Sequence, residues 1–230
     1  MSMAVEQLAM ITKNFQKKIF EDKGTKYRVV DTIGVGDTNL DTKKVLYKIA
    51  EGIYSMPEGI SQVLFVVDGR FTAEEIQTFN LFKRIIFQST NNLKYITIVR
   101  TKFSNFKNED ECNKDRKQLL NENEKIAEIV KSCNDIIYVD NPPINDNDDD
   151  DDDDEDDRQN KNNKQIRQEA RDVLLKHLEK VCKNEYFKLK EWDQLRNEID
   201  IYMKDENSVG KVINVGLLKG LKLFYSKLLK

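Results

Sequence analysis

Apolar residues in the first half of the chain recur at two different spacings. Continuous apolar runs at 62–68 (QVLFVVD) and 94–100 (KYITIVR) predict strands, and the first is typical of a strand buried on both faces. Apolar residues spaced by three and four positions predict helices over 41–56, 72–87 and 110–131. Strands and helices that alternate in this way predict an α/β fold with a mostly parallel sheet and helices on both faces.

Turn-forming residues delimit the other strands of this half. The turn Glu21-Asp22-Lys23-Gly24 separates two short runs, at 14–20 and 27–31, and together these predict a hairpin. A further short strand is predicted over 136–140 (IIYVD), because the pair Pro142-Pro143 follows it and proline cannot continue a sheet ladder.

The chain is predicted to have three parts. Residues 1–144 form the α/β domain, 145–163 an acidic disordered linker, and 164–230 a helical extension. The linker is predicted because the run NDNDDDDDDDEDD is a block of like charges that repel one another. The last part, 208–230, is predicted to be a basic amphipathic helix with its lysines off the apolar stripe. That stripe comprises Leu217, Leu221, Phe224 and Leu228.

Charge and composition narrow the classes of function. Without the eleven carboxylates of the acidic run, the net charge changes from −3 to +8, and this excess is spread over many lysines, so no nucleic-acid partner is expected. Three widely spaced cysteines fit neither a disulfide framework nor a zinc site. The single histidine, His177, excludes a histidine-based metal cluster and is expected to be an ordinary residue of an amphipathic helix. No signal peptide or membrane-length apolar stretch is present, so a cytoplasmic protein is predicted.

Candidate ligand-binding residues follow the predicted strands. Asp31, Asp68, Arg100-Thr101 and Asp140 each fall at a strand end, and open α/β sheets bind ligands outside the carboxyl ends of their strands. The tetrapeptide from Asp31 to Gly34 (DTIG) has the D-x-x-G spacing of a nucleotide site. In such a site Asp31 holds magnesium through water and the Gly34 amide meets a γ-phosphate. The alternative is a strand end followed by a glycine turn.

Four segments in order resemble one family. DGRFTAEE, at 68–75, resembles the G-R-F-T-x-E-[DE] box of the immune-associated nucleotide-binding GTPases, also called GIMAP or avirulence-induced-gene-type G domains. ITKNFQ, at 11–16, resembles the segment whose threonine reaches magnesium in that family. RTKFS, at 100–104, resembles the base-recognition box, and Asp140-Asn141 resembles the final base-contacting segment.

The resemblance implies a septin-like P-loop GTPase fold that binds GTP or GDP with Mg²⁺ and associates with a second copy through the G domain. It assigns Thr12 and Asp31 to the metal, and no residue serves as a catalytic nucleophile, because phosphoryl transfer relies on positioning and charge. It assigns Gly34, Thr101, Lys102 and Asn141 to the nucleotide.

Two departures from the family pattern leave the activity open. The first strand, the phosphate loop and its lysine are missing, and in the family that strand lies centrally in the sheet. Ser104 stands where an acidic residue would read guanine, with Glu109 or Asp110 as substitutes in its neighbourhood. We expect either a truncated product of a longer GTPase or a degenerate, non-enzymatic scaffold. The scaffold would bind a protein or, through the amphipathic tail, a membrane surface as a peripheral protein.

Overall fold

The computed structural model describes residues 16–31, 42–56, 58–87, 90–144, 154–182, 185–188, 192–209 and 221–228. The predicted hairpin is confirmed as strands β1 (Gln16–Asp22) and β2 (Thr25–Asp31). Its two-residue turn, Lys23-Gly24, has φ angles of 46° and 74°. Two positive φ angles match the right-handed twist of the strands, and this is why a glycine is placed at the second position.

The predicted alternation of strands and helices in the first half is also confirmed. Helix α1 is followed by strand β3 (Gln62–Asp68) and helix α2, and a π-helical segment extends α2. Strand β4, helices α3 and α4 and strand β5 complete the first half. Two longer helices, α5 and α6, come after β5, and α5 begins within the acidic run. The bounds are Thr42–Tyr54 for α1, Ala73–Phe82 for α2, Lys83–Phe87 for the π-helical segment, Ile96–Thr101 for β4, Glu109–Glu122 for α3, Glu124–Ser132 for α4, Asp135–Tyr138 for β5, Asp154–Val181 for α5 and Trp192–Val209 for α6.

The DGRFTAEE segment has a structural role in starting α2. Thr72 accepts a hydrogen bond from the Glu75 amide at 3.2 Å, and the Glu75 carboxylate accepts one from the Thr72 amide at 2.8 Å. This is the predicted capping box, and it satisfies two of the orphan donors at the helix end. Glu75 and Phe71 are both buried, so this part of the segment has a structural explanation independent of any ligand.

The single helix predicted over 110–131 is wrong, because the structure has two helices there. Asn123 lies between α3 and α4 in an extended conformation, with φ −159° and ψ 161°. Its side chain accepts a hydrogen bond from the Ile126 amide at 2.9 Å and so caps α4. The residues expected to face inward, Leu119, Ile126 and Ile129, are buried all the same.

The sheet is mixed, and it contains a three-stranded parallel part. The six strands lie in the order β1-β2-β6-β3-β4-β5, where β6 is Leu221–Leu228. β3, β4 and β5 are parallel, whereas β6 is antiparallel to both β2 and β3. It follows that β2 and β3 run in the same direction, so the carboxyl ends of β2, β3, β4 and β5 face one edge of the sheet.

The amphipathic helix predicted for the tail is wrong over Leu221–Leu228, which is strand β6. A short apolar segment fits both periodicities, and tertiary pairing decides between them. Here the pairing is extensive, with seven register pairs to β2 and four to β3. The helical premise of the membrane interpretation therefore fails for these residues, and the rest of the predicted tail from 210 onward lies outside the described residues.

Helices α5 and α6 share the core of the first half. Helix α5 begins at Asp154, ten residues before the predicted start of the extension, whereas 145–153 lie outside the described residues. The backbones of Ile60 and Phe187 exchange two hydrogen bonds of 2.8 Å, and Tyr47 of α1 donates to Asp200 of α6 at 2.8 Å. Buried side chains from both halves form one cluster, to which the extension contributes Ala170, Leu175, Leu178, Phe187, Leu195, Ile199 and Tyr202.

Candidate nucleotide site

Three polar side chains meet at the carboxyl ends of β3 and β4. Asp68 and Thr101 are register partners at these ends. The Thr101 hydroxyl lies 3.3 Å from Asp68 Oδ1 and 3.3 Å from the Val67 carbonyl oxygen. Lys102 Nζ lies 3.1 Å from Asp68 Oδ2. The Asp68 side chain is 13% exposed and that of Lys102 is 69% exposed. The carboxylate of this ion pair is therefore largely buried, whereas the lysine side chain faces solvent.

The backbone turns left-handed directly after both strands. Gly69, next to Asp68, has φ 75°, and Lys102, next to Thr101, has φ 55°. Glycine adopts such angles freely, whereas a side chain with a Cβ loses roughly 1–2 kcal/mol there. Strained residues of this kind concentrate at functional sites, where the surrounding structure holds them. Lys102 is therefore the conformationally unusual residue of this edge.

An aromatic pair lies beside Lys102. The rings of Phe103 and Tyr138 are 4.7 Å apart and tilted by 50°. The Phe103 amide donates to the Val139 carbonyl at 3.2 Å, which holds the loop after β4 against the end of β5. Burial, with the Asp115 carboxylate as a second cause, raises the pKa of the Tyr138 phenol, so this group stays protonated at neutral pH.

The structure does not bring all of the predicted residues to this point. Asp31 is the last residue of β2, and its register partner on β6 is Lys222. Lys222 is also the register partner of Leu64 on β3, and Leu64 lies four positions before Asp68. At about 3.3 Å per residue, Asp31 lies about 13 Å short of Asp68 along the strand direction. Asn141 is exposed in the segment after β5. Thr12 and Gly34 lie outside the described residues.

The residues considered as guanine readers have different roles. Ser104 is exposed in the turn after β4. Glu109 and Asp110 form the first turn of α3, where carboxylates interact favourably with the helix dipole. Asn108 caps that helix by accepting hydrogen bonds from the Asp110 and Glu111 amides at 3.0 and 3.2 Å. Asp68 is therefore the carboxylate that the structure places against the predicted base-recognition residues.

A buried polar network lies at the opposite edge of the sheet, where β3, β4 and β5 begin. Gln62 Nε2 donates to Thr97 Oγ1 at 2.6 Å, and Thr97 Oγ1 lies 2.8 Å from His177 Nε2. His177 Nδ1 lies 3.9 Å from Asp135 Oδ2, and Arg116 donates to Asp135 Oδ1 at 2.6 Å. Gln62, Thr97 and His177 are buried. The network fixes α5 against the sheet, and His177 is thus a buried linking residue.

Burial lowers the pKa of His177, and the nearby Lys180 acts in the same direction, whereas Asp135 opposes them. Because Thr97 Oγ1 already accepts from Gln62, its own proton is left to donate to His177 Nε2. We therefore assign the ring proton to Nδ1, which lies 3.9 Å from Asp135 Oδ2. Sequence reasoning missed this role. The one signal was that the histidine lies among apolar neighbours, Leu175 and Leu178, on the inner face of α5.

A cavity of about 350 Å³ adjoins this network, away from the candidate nucleotide residues. Its walls carry charges of both signs, and two of the lining side chains, Lys94 and Glu185, form an ion pair of 3.2 Å. A cavity with balanced charge gives no preference for a polyanionic ligand. Its lining residues are Gln62, Lys94, Tyr95, Asn134, Asp135, Lys180, Val181 and Glu185.

Comparisons with family models and with curated proteins found no match. Among the described residues, no group of three or more histidine, cysteine, aspartate or glutamate side chains is arranged to hold a metal ion. No helix within the described ranges has the length and apolar character needed to span a bilayer. The geometry of the strand ends and the resemblance carried by the sequence are therefore the two observations that bear on function.

Proposed function

We propose that this chain is a guanine-nucleotide-binding protein of the immune-associated nucleotide-binding type, and that the base binds at the carboxyl ends of β3 and β4. The observation that carries the proposal is the convergence of Asp68, Thr101 and Lys102. Two of these residues belong to the segment that resembles the base-recognition box, and the third begins the segment that resembles the G-R-F-T box.

Each side chain has a chemical task in this proposal. The stem of Lys102 packs along the face of the base while its ammonium group stays bound to Asp68. Thr101 offers a hydroxyl that can donate and accept. The Asp68 carboxylate accepts hydrogen bonds from the guanine N1 and N2 donors. Ser104 stands at the position of the acidic residue in the family pattern, but it has no anionic group to accept these two bonds. Asn141 approaches the base from the segment after β5.

In this proposal magnesium and the phosphates are assigned to Thr12, Asp31 and Gly34 by the family resemblance of the sequence. Asp31 is the one of these three that lies within the described ranges. A single carboxylate fits Mg²⁺, which keeps most of its waters and takes further oxygen ligands from phosphates. Bound Mg²⁺ would neutralise phosphate charge, and Asp31 would hold it through water. GTP hydrolysis and association of two copies through the G domain extend the proposal.

A second candidate function is that of a non-enzymatic interaction module on a G-domain-like scaffold. Two observations favour it: β6 fills the centre of the sheet, and Asp31 lies about 13 Å from the level of Asp68. In that case the strained Lys102 loop contacts a protein partner instead of a nucleotide.

Titration calorimetry with GTP, GDP and ATP, each with Mg²⁺, separates the two candidates. The proposal predicts heat with both guanine nucleotides, a weaker response to ATP, and loss of the guanine response in Lys102→Ala. Lys107→Ala is the matched control, because Lys107 is an exposed lysine of the same loop that pairs with Glu169 at 2.6 Å. If the folded protein gives no heat with any nucleotide, or if both variants respond alike, the base site is not here.

A further inference from the structure

Strand β1 is the outermost strand at one end of the sheet. It pairs with β2 on one side, and among the described strands none pairs with its other side. The backbone donors and acceptors along an edge strand form a template on which a further strand can add. The outer side of β1 is therefore a surface to which an extended segment can bind.

The hairpin determines which backbone groups of β1 face this outer side. Asp22 and Thr25 flank the two-residue turn and form a hydrogen-bonded pair, and in an antiparallel ladder such pairs alternate with non-bonded ones. The backbone groups of Lys17, Ile19 and Glu21 therefore point away from β2. Their side chains share one face of the strand and are all exposed. Ile19 is 53% exposed, the highest value for a large apolar side chain within the described ranges.

The sequence of β1, QKKIFED, is complementary to its own copy in the antiparallel direction. A two-fold axis through Ile19 places Ile19 opposite its copy and Lys17 opposite Glu21 on both sides of the axis. Each of these outward-facing pairs can exchange two backbone hydrogen bonds. Opposite charges and apolar side chains that lie directly opposite one another stabilise antiparallel strands.

Other positions of the two-fold axis are less favourable. An axis at Lys18 places two lysines opposite each other, and an axis at Phe20 places Ile19 opposite Glu21. Both alternatives also lose one of the outward-facing pairs. Lysines on edge strands ordinarily oppose pairing with other chains. Here they oppose the alternative alignments but support the alignment through Ile19.

We propose that the outer side of β1 is a dimerisation surface, and that β1 of a second copy of this chain pairs with it antiparallel about an axis at Ile19. Such an interface is isologous and closes after two copies. A single strand pair is smaller than a standard interface of about 1,600 Å², so we expect a reversible dimer with a dissociation constant in the micromolar range or above. The inference does not rest on the proposed function, because β2 and β6 separate β1 from β3.

Charge reversal at Lys17 and Glu21 tests this alignment in the full-length chain by sedimentation velocity. Lys17→Glu places two carboxylates opposite each other at both pairs, and Glu21→Lys does the same with two ammonium groups. Each variant alone should dimerise about tenfold more weakly than the parent, or worse. An equimolar mixture of the two variants restores both opposite-charge pairs and should form heterodimers. Lys125→Glu is the matched control, because it reverses the charge of an exposed lysine on α4, and it should dimerise like the parent.

A disulfide at the two-fold axis gives a second readout. Hydrogen-bonded antiparallel partners have Cα atoms about 5.5 Å apart, within reach of a disulfide, so Ile19→Cys should link two copies under mild oxidation. Ile201→Cys on α6 is the matched control, because Ile201 is 48% exposed, close to the exposure of Ile19. Both variants are made in a background in which the native thiols are replaced through Cys112→Ser, Cys133→Ala and Cys182→Ser.

Three results would overturn the proposal. The first is a folded parent chain that stays monomeric up to its solubility limit. The second is a pair of charge variants that dimerise alone as well as the parent does, or that do not dimerise with each other when mixed. The third is equal disulfide linkage in the Ile19→Cys and Ile201→Cys variants.

Discussion

The two edges of the parallel strands differ in how their polar side chains are held. Where the strands begin, Gln62, Thr97 and His177 are buried and joined by contacts of 2.6 and 2.8 Å. Where the strands end, Asp68, Thr101 and Lys102 are joined by contacts of 3.1 to 3.3 Å around an exposed lysine with a positive φ. Buried and satisfied polar networks stabilise a unique structure, whereas exposed and strained residues are available for a ligand. We infer that the first edge serves stability and the second serves binding.

The same substitution at the two edges gives the largest expected contrast. Thr97→Val keeps the shape of the side chain but leaves Gln62 and His177 without their buried partner. Each unsatisfied group costs about 1–3 kcal/mol, so for the two groups we expect a loss of about 2–6 kcal/mol in the free energy of unfolding. Thr101→Val, the matched control, removes two long contacts near solvent and should cost less than about 1 kcal/mol. Urea denaturation of both variants measures the difference, and equal losses would contradict the division between the edges.

The pH dependence of stability should come from the buried edge. The folded protein holds the pKa of His177 below its ordinary value of 6.5, so the unfolded chain takes up the proton more readily. The free energy of unfolding should therefore fall as the pH drops from 6.5 towards the lower pKa of the folded state. His177 is the single histidine of the chain, so its NMR titration can be read without assignment. In the His177→Gln variant, the urea midpoint should change less between pH 7.5 and 5.5 than it does in the parent protein. An unchanged pH dependence of the midpoint would mean that other groups cause it.

The smallest effect on stability is expected from Lys102→Gly. Glycine relieves the left-handed strain, a gain of about 1 kcal/mol, and the loss of an ion pair with an exposed lysine offsets part of it. Nucleotide affinity should fall, because the side chain that packs on the base is gone. Lys102→Ala, which keeps the strain and also lacks the side chain, should lose affinity to the same extent without the gain in thermal stability. A glycine variant that binds as tightly as the parent would remove Lys102 from the site.

Local patterns sufficed to predict most of the first half of the chain. The continuous apolar run at Gln62–Asp68 and the turn residues Lys23-Gly24 determine their own conformations, because burial on both faces and positive φ angles are encoded in a few neighbouring residues. Helix α2 was predictable from Thr72 and Glu75 for the same reason. The prediction that Asp68 and Thr101 lie at strand ends required two patterns, the apolar runs that mark the strands and the alternation of strands with helices.

Features that depend on distant parts of the chain could not be predicted. Strand β6 has apolar residues at a helical spacing, Leu221, Phe224 and Leu228, and its pairing with β2 and β3 makes it extended. The network of His177 joins residues of three strands and a helix that are separated by up to 115 positions. The ion pair between Asp68 and Lys102 follows from the parallel register of β3 and β4. That register cannot be read from the sequence of either strand.

Amide chemical-shift mapping of the full-length protein with Mg²⁺-GDP shows whether a nucleotide binds at the carboxyl ends of β3 and β4. We predict saturable shifts at Gly69, Thr101, Lys102 and Phe103, while Gln62, Thr97 and Asp135 at the other edge stay unchanged. Shifts that cluster instead around the cavity at the start of the strands, at Lys94, Tyr95, Asn134 and Lys180, would contradict it, as would a folded protein with no shifts at saturating nucleotide.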